Sequence, residues 1–69
     1  MDVSIVIPCY NSASWMQELC DRIKNVMHNT IYSWELILVN DESNDIDLTW
    51  LSIISAAKEI NNILGINLQ

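Results

Sequence analysis

A chain of 69 residues can build one domain at most, and at that size only about 60% of the unfolded-state surface is buried on folding. Its residues are 51% apolar, a composition that excludes a disordered tail or a low-complexity linker. Three Lys and Arg against nine Asp and Glu leave a net charge of -6, the wrong sign for neutralising nucleic-acid phosphates or docking on an anionic membrane.

The N-terminus carries Asp2 in place of a basic region, so it does not read as a secretory signal, and no apolar run nears the ~20 residues that cross a bilayer. A cytoplasmic setting is therefore the default, with membrane association reserved for a longer protein. Val3-Ser4-Ile5-Val6-Ile7 is a β-branched run that Pro8 should close, giving a first strand. Ser14 and Gln17 have capping-box spacing. After them Trp15, Leu19, Ile23, Val26 and Met27 recur at helical period, which predicts a helix to about His28. Glu18 and Arg22 are placed on its wet side in the favourable i,i+4 order.

Asn29-Thr30 breaks that pattern. Trp34 to Val39 then reads as a second strand, ending in the polar cluster Asn40-Asp41-Glu42-Ser43-Asn44-Asp45. Asp45 or Asp47 can cap the next helix, whose apolar positions Trp50, Ile53, Ile54, Ala57 and Ile60 step by three and four. Asn61-Asn62 stops it, and Ile63 to Leu68 reads as a third strand. Cys9 and Cys20, the only cysteines, lack the C-x-x-C spacing of a redox or zinc site and read as buried reduced thiols.

The order β-α-β-α-β predicts an α/β fold of three-layer type on a parallel sheet, because parallel neighbours require such crossovers. If the strands add in one direction, right-handed crossovers place both helices on one face. The other face then lacks a cover, yet Val6 on strand one and Ile37 and Val39 on strand two are apolar there. Strands of this kind are normally buried on both sides. The sequence thus implies further material, expected downstream.

In open parallel sheets ligands bind beyond the carboxyl ends of the strands, so the loops that matter are Pro8-Cys9-Tyr10-Asn11-Ser12 and Asn40-Asp41-Glu42-Ser43. Tyr10 offers a ring for stacking a base, and Asp41 a carboxylate for the N-H groups of a pyrimidine or guanine edge. The alternative is that Tyr10 packs locally and the acidic loop merely caps the second helix.

Val3-Ser4-Ile5-Val6-Ile7-Pro8-Cys9-Tyr10-Asn11 resembles the opening V-S-I-V-I-P-x-Y-N of family 2 glycosyltransferases. Leu36-Ile37-Leu38-Val39-Asn40-Asp41-Glu42-Ser43 resembles that family's strand ending in V-D-D-G-S or V-N-D-G-S, at the expected separation. Thr49-Trp50 and Gly65-Ile66-Asn67-Leu68 look like the polyprenyl-phosphate sugar transferase branch. The resemblance implies a Rossmann-like N-terminal part of a GT-A fold and a nucleotide-diphospho-sugar donor of the UDP- or GDP-sugar class. Pro8 and Tyr10 would stand beside the base, Val39 would line its pocket and Asp41 would bond its edge. Glu42 stands where the family usually has Gly, and Asn40 replaces the commoner first Asp.

Asp45-Ile46-Asp47 matches D-x-D, the pattern by which the family holds a divalent metal on the donor diphosphate. Its place at the start of a helix reads as an N-cap pair instead, since the family's metal motif follows a later strand. The resemblance therefore implies Mg²⁺ or Mn²⁺ for a full-length enzyme, with no metal ligand and no general base in this segment. His28, alone at a helix end, reads as structural. Trp15, Trp34 and Trp50 could stack a sugar, but their places on helix stripes and at a strand start favour core packing. No G-x-G-x-x-G or Walker sequence occurs.

Residues 1–69 are accordingly expected to form a single partial domain, the nucleotide-binding half of a glycosyltransferase, ending inside or just after the third strand and inactive by itself. The open sheet edge or face predicts a homodimer or higher oligomer. The alternative is a small α/β interaction or signalling module with an acidic strand-end loop. A receiver-like domain, however, needs an acidic cluster after strand one, where this chain has Pro-Cys-Tyr-Asn.

Overall fold

The computed structural model describes residues 2–41 and 48–68. Its elements are β1 (Val3–Cys9), a 3-10 turn (Ala13–Trp15), α1 (Met16–His28), β2 (Trp34–Asp41), α2 (Leu48–Glu59) and β3 (Ile63–Leu68). The three strands form one parallel sheet in the order β1-β2-β3. Val3 lies opposite Trp34 and Cys9 opposite Asn40, while Leu36 to Asp41 pair with Ile63 to Leu68.

Each strand divides its side chains by alternation. Ile5, Ile7 and Cys9 share a face with Leu36, Leu38 and Asn40 and with Ile63 and Gly65. Both helices cover this face, since Met16 and Cys20 of α1 and Ile53 of α2 join Cys9, Leu36, Leu38 and Ile63 in one buried core. Trp34, Trp50, Leu19 and Ile23 pack around it. The α/β class, the parallel sheet and the common face for both helices are as the sequence implied.

Gly65 lies directly beneath α2. A Cβ there would come within 2.5 Å of Ile53 Cγ2 and 3.3 Å of the Trp50 ring, so only a residue without a side chain lets the helix seat.

The opposite face carries no helix among the described residues. Val6, Leu64, Ile66 and Leu68 are exposed there, and Ile37 and Val39 are half-buried beside them. At its start the face turns polar, where the Ser4 hydroxyl donates to Glu35 Oε1 at 2.7 Å.

Four local readings need correction. β1 does not stop at Pro8 but runs through Cys9. The Val3 N–H donates inward to the Ser33 carbonyl at 3.0 Å, so by alternation the backbone of Ser4, Val6 and Pro8 faces the outer edge. The N–H that proline lacks is therefore not required by the ladder. β2 likewise continues through Asn40 and Asp41, which pair with Asn67 and Leu68.

Ser14 does not cap α1. The 3-10 turn precedes the helix, no side-chain cap bond forms, and Trp15 holds the N-cap position. Met16 and Cys20, which periodicity did not single out, are the most buried residues of α1; Leu19 and Ile23 pack beside them as read, while Trp15 and Val26 are exposed. The end of α1 at His28 is as read: the Asn29 side chain donates to the Asn25 carbonyl and the Thr30 hydroxyl to that of Met27. Arg22 meets Glu18 at 2.8 Å. The capping roles of Asp45 and Asp47 lie outside the described residues.

Candidate nucleotide site at the strand ends

Pro8 and Tyr10 come from the end of β1, and Val39 and Asp41 from the end of β2. Pro8 is opposite Val39 in the ladder. Val39 and Asp41 differ by two residues and so share a face. Pro8, Val39 and Asp41 therefore lie on the side of the sheet that no helix covers among the described residues, and Tyr10 follows one residue beyond β1. All four gather at the carboxyl end of two neighbouring parallel strands. Pro8, Tyr10 and Asp41 are exposed and Val39 is half-buried, so a ligand could reach each of them.

The turn that carries Tyr10 is polar and closed. Asn11 takes φ 48°, a left-handed conformation that Asn tolerates better than most side chains. The Ser12 hydroxyl accepts the Tyr10 N–H at 3.0 Å and lies 3.0 Å from the Tyr10 carbonyl, to which it donates. The Ser12 N–H donates to Thr49 Oγ1 at 2.8 Å, joining the β1 turn to the first residues of α2. Ser12 and Thr49 are both fully buried.

Under the β2 end, the buried Asn40 side chain donates to Asn67 Oδ1 at 2.7 Å. This bond fixes the strand next to Asp41 from the helix-covered side. Sequence reasoning placed Asn40 and Ser12 in the strand-end loops without assigning either a bonding role, and it passed over the pairing function of Thr49. A Ser two residues after Tyr in a short turn was the available signal for Ser12. Nothing local marks Thr49 as its partner, thirty-seven residues away.

Other candidates stay apart from these strand ends. Trp34 and Trp50 pack on the core as expected, whereas Trp15 is 42% exposed beside Glu18, Leu19 and Arg22, against the core role read for it. A groove of about 190 Å³ runs between α1 and α2 over Met16, Cys20 and Ile60, on the helical side of the sheet. Cys9 and Cys20 are free, buried thiols, and burial raises the pKa of each from 9.0. At Cys20 the neighbouring charges of Asp21 and Cys9 add to that rise. Among the described residues no three His, Cys, Asp or Glu side chains gather to hold a metal ion. Glu42 and the Asp45-Ile46-Asp47 pattern lie outside those residues.

The family model described as Glycosyl transferase family 2 matches residues 4–63, most of the chain. The chain belongs to glycosyl transferase family 2. That membership disfavours the receiver-like alternative, and the matched range includes β1 and β2. A curated relative, the uncharacterized glycosyltransferase YkcC of Bacillus subtilis (strain 168), is 45% identical over 42 residues, 61% of this chain. The aligned segment spans 13% of that relative's length. No solved structure matches. Among the described residues of this family 2 chain, no helix is long and apolar enough to cross a membrane.

Proposed function

We propose that this chain is the donor-nucleotide-binding part of a glycosyltransferase that moves a sugar from a nucleotide diphosphate, of the UDP- or GDP-sugar class, in the polyprenyl-phosphate sugar transferase branch. The observation that carries the reading is the convergence of Pro8, Tyr10, Val39 and Asp41 at one end of β1 and β2, within a family 2 match. A base laid over this end would stack on Tyr10 and contact Pro8 and Val39. The Asp41 carboxylate would accept the base N–H, a charge-assisted bond stronger than a neutral one. The backbone at Asp41 is held by pairing with Leu68, so its carboxylate starts from a fixed strand.

Catalysis belongs to residues outside this chain. On the family resemblance, the Mg²⁺ or Mn²⁺ ion expected in a full-length enzyme is assigned to ligands outside this chain, as is the general base. The 69 residues are therefore a partial domain that binds donor weakly and transfers no sugar. We further propose that they self-associate, through the outer edge of β1 or through the open sheet face. Ser4 and Val6 direct their backbone groups to that edge with no strand beside them among the described residues, a template for pairing. Val6, Leu64, Ile66 and Leu68 supply apolar surface on the face.

Titrating the isotope-labelled chain with UDP and with GDP tests the site. Amide shifts should cluster at Tyr10, Val39 and Asp41, and Asp41→Asn should weaken binding about tenfold or more, the scale of a lost hydrogen bond to a charged group. Shifts centred on α1 or on the interhelical groove would refute the assignment. Sedimentation equilibrium at micromolar concentration tests association: a single folded species near 7.9 kDa would show that the chain does not pair.

A further inference from the structure

An exposed aromatic ring binds a base well only if its backbone is already held, because ordering it during binding costs conformational entropy. Tyr10 is 55% exposed and stands in a turn of three residues between β1 and the 3-10 turn, where side-chain packing offers little restraint. Its restraint is polar. The Ser12 hydroxyl clasps the N–H and the carbonyl of Tyr10, and Thr49 Oγ1 takes up the Ser12 N–H. Ser12 also gives its carbonyl to the Trp15 N–H at 3.2 Å, so its backbone is fixed on the helical side as well.

Thr49 follows the acidic segment that begins after Asp41, and it is 0% exposed with Ser12 at 1%. No water reaches this contact to substitute for a missing partner. From this geometry we propose that Thr49 is a positioning residue for donor binding: its hydroxyl, acting through Ser12, sets where the Tyr10 ring stands relative to Asp41. The proposal rests on the donor-site reading above. It explains why a threonine occupies a buried place in the first turn of a helix that faces an apolar sheet. Valine has the same shape and would satisfy packing but could not accept the Ser12 N–H.

The test compares Thr49→Val, Thr49→Ser and Ser12→Ala in the full chain, first without ligand and then with UDP. Without ligand, Thr49→Val should lose hydrogen-exchange protection at the Ser12 and Tyr10 amides while the β1–β2 ladder amides keep theirs, and Thr49→Ser should restore it. Ser12→Ala, which retains the Ser12 N–H, should lose protection at Tyr10 alone. With UDP, Thr49→Val should weaken binding about fivefold, as expected for one ordinary hydrogen bond. The shift at Tyr10 should shrink while that at Val39 persists, and Thr49→Ser should recover both affinity and shift. Unchanged Tyr10 protection in Thr49→Val overturns the clasp whatever the nucleotide does. Lost protection with unchanged affinity and Tyr10 shift makes the bond merely structural and overturns the positioning role. If UDP and GDP leave the wild-type strand ends unshifted, the donor-site reading fails and takes the positioning role with it, while the free-chain exchange still reports on the clasp itself.

Discussion

The two faces of the sheet are built from the same kinds of residue and meet different fates. On the helical face Leu36, Leu38 and Cys9 are 0% exposed and Ile63 is 6% exposed; on the open face Val6 is 59% and Leu64 56% exposed. Hydrophobicity alone therefore does not say which side of a strand is core. The two crossovers deliver both helices to one side, and the other side keeps its apolar residues exposed. The candidate site uses that asymmetry. Pro8, Val39 and Asp41 are on the open side, with their backbone anchored by packing and by the Asn40–Asn67 bond on the closed side.

The largest test of this contrast truncates one leucine on each face. Leu38→Ala should cost about 2–5 kcal/mol, as a buried leucine does. Leu64→Ala should stay within about 0.5 kcal/mol at low concentration, as an exposed residue does. A chain of this size has a stability on the order of 3–10 kcal/mol, so the first change should leave much of the protein unfolded. Urea denaturation by circular dichroism measures both. Equal losses would mean the two faces are alike in solution. A Leu64→Ala loss that grows with protein concentration would sharpen the comparison by locating self-association on the open face.

Next in size is the seat of α2. Gly65→Ala forces a methyl to 2.5 Å from Ile53 Cγ2, a β-branched carbon with little freedom to move. Overpacking of this kind costs about 1–3 kcal/mol, even though alanine is otherwise the better strand residue. A melting temperature unchanged by Gly65→Ala would show that α2 rides higher on the sheet than described here.

Smaller again is a pH effect confined to the closed face. Burial raises the pKa of Cys9 and Cys20 above 9.0, so in the folded chain both thiols hold their protons to higher pH than in the unfolded chain. The unfolded state then binds fewer protons above about pH 9, and the stability slope with pH is negative there. The urea midpoint should be level through neutral pH and fall from about pH 9 upward, more steeply than in a Cys9→Ala/Cys20→Ala double variant. Identical slopes would place the thiols in contact with water. The smallest effect belongs to the helix surface, where Glu18→Ala should cost no more than about 0.5 kcal/mol, because its bond to Arg22 is 77% and 63% exposed at the two side chains.

The sequence by itself determined the strand and helix order, the two helix stop signals and the family. It also located the strand-end residues, because alternation and helical period are local and because each motif begins on one strand and runs off its end. Tertiary structure decided the rest. Pro8 could remain inside β1 only because its missing N–H falls on the outer edge, which depends on which side β2 pairs. Met16 and Cys20 became the most buried residues of α1, beside Leu19 and Ile23, because the way the helix lies on the sheet selects which residues go deepest. Glycine at position 65 acquired its meaning only when Ile53 and Trp50 came down on it. The Ser12–Thr49 bond is the clearest case: two hydroxyl residues of ordinary turn and helix-start chemistry become one buried contact because parallel crossovers return α2 beside the end of β1, and no periodicity in either segment encodes that meeting.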